Sequence, residues 1–210
     1  MTLRVREIAT PAGMARAHVE RALTAKGTVI LGHGAGGGVD APDLVSLRRL
    51  VADGWCYVRV EQPWRVAGRR IATPPKTLDA AWVPVVEALT NGRWALPRPL
   101  VVGGRSAGAR VACRTAATVV ADAVLALSFP LHPPGSPEKS RAHEAALVLD
   151  SGMPLCVIQG GRDPFGRPEE VRAALGDGVE VRSVRGDHSF AAHPEDAFDA
   201  ASAWLSTIGG

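Results

Sequence analysis

No stretch of this chain strings together the roughly 18 apolar residues that a membrane-crossing helix needs, so no membrane span is expected. Cysteine is scarce. Cys56, Cys113 and Cys156 are odd in number and widely spaced, which argues against a disulfide framework or a zinc site and fits a reducing, cytoplasmic setting. Charge of one sign never accumulates: the net charge is +3 and no run of five like charges occurs. A surface that tracks phosphates needs clustered cations, so nucleic acid is not an expected partner. With one Tyr and four Phe there are also few platforms for stacking bases. The G-x-x-x-x-G-K-[ST] pattern of a nucleotide-cradling loop is absent. The opening MTLRVREIATPAG mixes charged and apolar residues without an apolar core segment, so no secretory leader is expected.

What remains is the composition of a globular protein. The chain has 210 residues, 46% hydrophobic and 21% charged, which suits a single domain spanning 1–210. Leu3–Ile8 and Ala15–Val19, split by Pro11-Ala-Gly13, read as an antiparallel pair. Six compact runs follow: Thr28–Leu31, Cys56–Val60, Leu100–Val102, Ala123–Leu127, Leu155–Ile158 and Val179–Val184. Most are continuously apolar, as strands covered on both faces must be. Helical patterns alternate with them. Asp40 is placed to cap a helix carrying Leu44, Leu47, Leu50 and Val51, which Gly54 stops. A second stripe, Leu78, Trp82, Val85, Val86 and Leu89, contains Pro84, so a kink or a late start is expected there. Ser106–Val120, residues 137–150, Pro168–Leu175 and Pro194–Leu205 complete the set. The order predicts a three-layer α/β/α sandwich around a mostly parallel, eight-stranded sheet.

In such sheets chemistry gathers beyond the carboxyl ends of the strands. Leu100–Val102 runs into Gly103-Gly-Arg-Ser106-Ala-Gly108, which contains G-x-S-x-G. A strand-to-helix elbow there presents the Ser106 hydroxyl, and the helix start aims N–H groups at a developing oxyanion. Thr28–Leu31 runs into Gly32-His-Gly-Ala-Gly-Gly-Gly38. Gly32, Gly34 and Gly37 satisfy a dinucleotide fingerprint, with Glu61 after the next strand as its acid. The helix signals begin only at Asp40, however, so a glycine loop whose Ala35 N–H serves as an oxyanion donor is preferred. In that reading His33 buttresses the loop. Two further strands end in Gln159-Gly-Gly-Arg-Asp163-Pro-Phe165-Gly166 and Gly186-Asp-His188. The chain order Ser106, Asp163, His188 brings an alcohol, a carboxylate and an imidazole to one rim. Asp187, beside His188, points elsewhere in an extended turn.

These motifs together resemble the α/β-hydrolase superfamily over about Leu3 to Leu205. More narrowly they resemble its small capless branch, the dienelactone-hydrolase-like and KANL3/Tex30-type hydrolase-like domains. The resemblance implies Ser106 as nucleophile, His188 as general acid/base, Asp163 as its orienting acid, and the amides of Ala35 and Ala107 as the oxyanion hole. It implies a serine hydrolase of small esters or thioesters, or alternatively a non-catalytic binding or scaffold protein on the same fold. No cofactor and no metal are implied.

About twenty-five residues separate Leu127 from the next strand, too few for a cap domain, so the site should be shallow and open. His33, Gly34, Trp64, Arg105, His132 and Phe165 are candidate lining residues. Arg105 either faces an acidic substrate or pairs with a carboxylate. The oligomeric state, monomer or dimer, stays open.

Overall fold

Strands that read as unbroken apolar runs do so because both of their faces are covered. The computed structural model describes residues 3–93 and 95–208; positions 1, 2, 94, 209 and 210 of the expected 1–210 span lie outside the described residues. Eight strands form one sheet in the order β1-β2-β4-β3-β5-β6-β7-β8. They are β1 (Leu3–Thr10), β2 (Gly13–Glu20), β3 (Gly27–Gly32), β4 (Trp55–Glu61), β5 (Leu100–Arg105), β6 (Ala123–Leu127), β7 (Leu155–Gly160) and β8 (Glu180–Val184). β1 and β2 pair antiparallel, as do β2 and β4, and every later neighbour pairs parallel.

The period of two along each strand sorts side chains into two cores. Ile30, Val58, Val102, Val124 and Val157 enter one. Helices α3 (Pro75–Thr90), α4 (Ala107–Thr115), α5 (Ala142–Asp150) and α6 (Pro168–Leu175) contribute the rest of that layer. Leu31, Tyr57, Val101, Leu125 and Ile158 enter the other, under α1 (Pro42–Ser46), the 3-10 turn Leu47–Val51 and α7 (Pro194–Leu205). This is the expected three-layer α/β/α sandwich, and among the described residues no separate cap domain covers its rim.

Several boundaries depart from the sequence reading. Asp40 does not cap α1; Ala41 holds the N-cap position without a side-chain bond, and the exposed Asp40 carboxylate lies 3.6 Å from Arg59. Pro42 in the first turn suffices to start the helix. α3 begins at Pro75, well before Pro84, and continues through it. Its apolar stripe against the sheet outweighs one missing donor. α4 ends at Thr115 and not at Val120, because Val120 turns left-handed at φ 52° and Ala121 N–H bonds back to Ala116. The helix expected over 137–150 starts at Ala142, after turns at 136–139. The loop after β4 contains a short helix, α2 (Pro63–Val66), which no capping pattern announced.

The functional rim depends on how closely α4 packs on β3. At Gly108 an added Cβ would fall onto the carbonyl oxygen of Gly32. Alanine has higher helix propensity than glycine by about 1 kcal/mol, so Gly108→Ala should stabilise unless this contact dominates. The contact predicts destabilisation by about 1–3 kcal/mol in urea unfolding. Gly36→Ala, whose methyl would meet nothing within 4 Å, should stay within about 0.5 kcal/mol of wild type. A Gly108→Ala midpoint equal to wild type would refute the close packing.

Candidate active site

β5 ends at Arg105 and α4 starts at Ala107, which leaves Ser106 as the single hinge between strand and helix. Its backbone sits at φ 52°, ψ −110°, a region costly for a side chain-bearing residue. Two bonds hold it there: its N–H donates to the Leu127 carbonyl at 2.9 Å, and its carbonyl accepts from Arg110 N–H at 3.2 Å. The hydroxyl is thereby lifted off the sheet and into a cleft.

His188 comes from the loop after β8. Its Nε2 lies 2.9 Å from Ser106 Oγ, and its Nδ1 lies 2.8 Å from Asp163 Oδ2. A carboxylate only accepts, so Nδ1 carries the ring proton and Nε2 is free to accept from the hydroxyl. Asp163, after β7, is 1% exposed. Its Oδ2 also accepts from Gln159 Nε2 at 2.9 Å, and its Oδ1 from Phe165 N–H at 2.9 Å. The Phe165 ring stacks on the His188 imidazole with centroids 4.2 Å apart. Backbone bonds tie the two loops together, Arg162 N–H to Gly186 at 3.0 Å and Gly161 N–H to Val184 at 2.9 Å. Asp187 is otherwise occupied: it accepts from the N–H and the hydroxyl of Ser189.

Arg105 turns away from an anionic-ligand role. Its Nε lies 3.1 Å from Asp43 Oδ2 and its Nη2 donates to the His188 carbonyl at 3.0 Å. Asp43 is fully buried. Burial pushes its carboxyl up, against the opposing pull of Arg105. The pair therefore fastens the His188 loop to α1 across the top of β5.

The glycine-rich segment after β3 forms turns, and no helix starts before Pro42. His33 is buried, with Nε2 accepting from Gln62 N–H at 3.1 Å and Nδ1 donating to the Gly34 carbonyl at 2.9 Å. Burial lowers its pKa, which keeps the ring neutral and suits it to bracing the turn. Gly34 packs closely on this pair: a Cβ there would meet the Arg105 guanidinium at 2.8 Å and Ser106 Cβ at 3.3 Å.

An open cleft of about 510 Å³ is lined by Ala35, Arg105, Ser106, Phe165, His188 and Ser189, among others. His33, Gly34 and Trp64 do not line it; they border a separate small cavity shared with Ala35 and Ala107. Trp64 is buried with its ring edge-on to His33. His132, expected at the pocket wall, is buried away from the cleft lining, between the Pro133 carbonyl and Glu170. Gln159 and Asp43 were not singled out by sequence. Gln159 was visible as a polar residue ending an apolar strand, whereas Asp43 gave no signal. Burial pushes the Cys113 and Cys156 thiols up to about 12, so neither supplies a thiolate nucleophile. Among the described residues no group of three or more His, Cys, Asp or Glu could hold a metal ion, and no helix is long and apolar enough to cross a membrane.

Against known proteins, the profile of a family described as an alpha/beta hydrolase domain matches residues 25–208. A solved alpha-beta serine hydrolase homologue from Coxiella burnetii superposes with a TM-score of 0.76 at 18% identity, covering 99% of this chain and 97% of its own. A serine hydrolase without lid from Xanthomonas campestris gives 0.76 at 18% identity, covering 99% and 95%. Est1E from Butyrivibrio proteoclasticus with bound ferulic acid gives 0.78 at 14% identity, covering 97% and 98%. At these identities the likeness is one of fold. No curated protein sequence matches the chain.

The Asp43–Arg105 pair generates a stability prediction. Arg105→Met leaves a buried carboxylate without its cation and should cost about 3–5 kcal/mol at neutral pH, while Asp43→Leu/Arg105→Met should recover most of it. In the single variant the folded-state pKa of Asp43 rises still further above its unfolded value. The penalty should therefore be small near pH 3.8, the carboxyl's ordinary value, and grow as pH rises. Urea unfolding at several pH values reads this out; a penalty independent of pH would contradict a buried ion pair.

Proposed function

The chain belongs to the alpha/beta hydrolase family, and on that footing we propose that it is a serine hydrolase of small, accessible carboxylic esters or thioesters. The observation that carries the reading is the unbroken hydrogen-bond series from Ser106 Oγ through His188 to Asp163. A serine hydroxyl attacks poorly until a base removes its proton, and the imidazole holds that proton best when a carboxylate faces its far nitrogen.

In this reading Ser106 Oγ attacks the substrate carbonyl carbon as its proton passes to His188 Nε2. The carbonyl oxygen becomes an oxyanion. Ala107 N–H, at the start of the nine-residue α4, and Ala35 N–H, in the glycine turn, are the donors assigned to it. His188 then protonates the departing alcohol or thiol as the tetrahedral carbon collapses to an acyl–Ser106 ester. Water, losing its proton to Nε2, attacks that ester, and the acid leaves as Ser106 regains its proton. Asp163 stays ionised and orients the ring. The sequence uses no cofactor. The absent cap leaves the cleft open, which favours compact substrates over long acyl chains that gain affinity from burial. Three buried free thiols support a reducing, cytoplasmic setting.

Ser106→Ala and His188→Ala should each lower kcat/KM on p-nitrophenyl esters by about 10⁴-fold or more, and the double variant should lose little beyond either one. Asp163→Asn should lose less, about 10³- to 10⁴-fold. A fluorophosphonate probe should label wild type and spare Ser106→Ala. Folded wild type that takes no label and turns over no ester would instead be the non-catalytic binding protein.

A further inference from the structure

Gln159 is fully buried near the end of β7, after four apolar residues that pack into the two cores. A buried carboxamide costs stability unless both of its ends are partnered. Here one end is not: among the described residues no group partners Oε1. The nitrogen has the opposite surroundings. Nε2 faces the Phe129 carbonyl at 3.2 Å, Asp163 Oδ2 at 2.9 Å and the Gly166 carbonyl at 2.7 Å. Those contacts fix which end is which, because an oxygen in that place would meet three oxygens. An apolar side chain of this length would fill the same space without an unpartnered oxygen, so packing does not account for glutamine here.

What the nitrogen holds is the acid behind His188. Asp163 Oδ1 accepts from Phe165 N–H at 2.9 Å, while Oδ2 is shared between Gln159 Nε2 and His188 Nδ1, the latter at 2.8 Å. With the Phe165 bond alone the carboxylate could turn about Cβ–Cγ; the bond from β7 pins Oδ2 towards the imidazole. The same nitrogen ties down the Gly166 carbonyl, and with it the turn whose Phe165 ring stacks on His188. The charge of the donor matters as well. A lysine or arginine would spend the Asp163 charge in an ion pair, and a carboxylate would oppose it. A neutral amide satisfies Oδ2 and leaves the negative charge for the imidazolium that forms as Ser106 attacks. We infer that Gln159 is a positioning residue of the reaction, a neutral donor that holds Asp163 in line with His188. The inference rests on the serine-hydrolase reading above.

The test compares Gln159→Met, which keeps the length and loses the donor, with Gln159→Glu, on p-nitrophenyl acetate from pH 6 to pH 9, with circular dichroism scoring the folded fraction at each pH. Per folded molecule, Gln159→Met should lose about 10- to 100-fold in kcat with KM within about twofold of wild type, the scale of a misplaced reacting group. Gln159→Glu keeps the test decisive if the methionine variant fails to fold. Placed against a carboxylate, its carboxyl holds its proton to a higher pH than usual and can donate it to Asp163. As pH rises and that proton leaves, the donor is replaced by a like charge, so the kcat deficit against wild type should widen about tenfold across the range. A folded variant with wild-type kcat overturns the inference. So does a Gln159→Glu deficit that stays constant with pH, which would mark a packing role alone. If Ser106→Ala is inactive in the same assay, only the role of Gln159 falls. If Ser106→Ala hydrolyses the ester as well as wild type, the serine-hydrolase reading falls and takes this inference with it.

Discussion

A carboxylate taken out of water needs donors on its oxygens, and Asp163 at 1% exposure receives them from three places. Gln159 donates from the end of β7, Phe165 from the backbone two residues on, and His188 from a different loop. The imidazole is thus drawn to one edge of Asp163 by the same requirement that keeps the carboxylate stable. Its far nitrogen then comes to rest against Ser106. The stacked Phe165 ring and the backbone bonds between the β7 and β8 loops remove the remaining freedom.

A second buried carboxylate does related work from the opposite side. Asp43 sits under the cleft and binds Arg105, which in turn holds the His188 carbonyl. The imidazole is clamped at its side chain by Asp163 and at its backbone by Arg105. Arg105 ends β5 and Asp43 opens α1, while Asp163, three residues past β7, is held by Gln159 on that strand, so the loop carrying His188 is tied to the sheet from both sides. Such preorganisation is what a positioned proton acceptor requires. The positive φ of Ser106 is sustained in the same way, by backbone bonds on either side and by glycines that let β3, β5 and α4 approach.

Much of the architecture was legible because its causes are local. Continuous apolar runs mark strands hidden on both faces, and all eight strands appear where the pattern put them: six are longer at one or both ends, β6 has the expected bounds, and β8 starts one residue later, at Glu180. Helix ends were less legible. Asp40 had the right chemistry for a cap, yet Pro42 started the helix and Asp40 turned to Arg59. Val120 continued an apolar pattern, yet the chain left the helix five residues earlier to pair Ala121 with Ala116. These outcomes turn on long-range packing, which a window of neighbours does not encode.

Spacing and residue type determined which alcohol, imidazole and acid could meet, because parallel strands deliver their ends to one rim. The family match to residues 25–208 agrees with that architecture. Tertiary structure decided what each polar neighbour does. Arg105 could have met a ligand or a carboxylate, and only the burial of Asp43 resolved the choice. His33 and Trp64 could have faced the cleft, but their packing places them on the far side of the glycine turn. Whether a side chain faces solvent, a partner or a cavity depends on residues distant along the chain, and the fold alone brings those together.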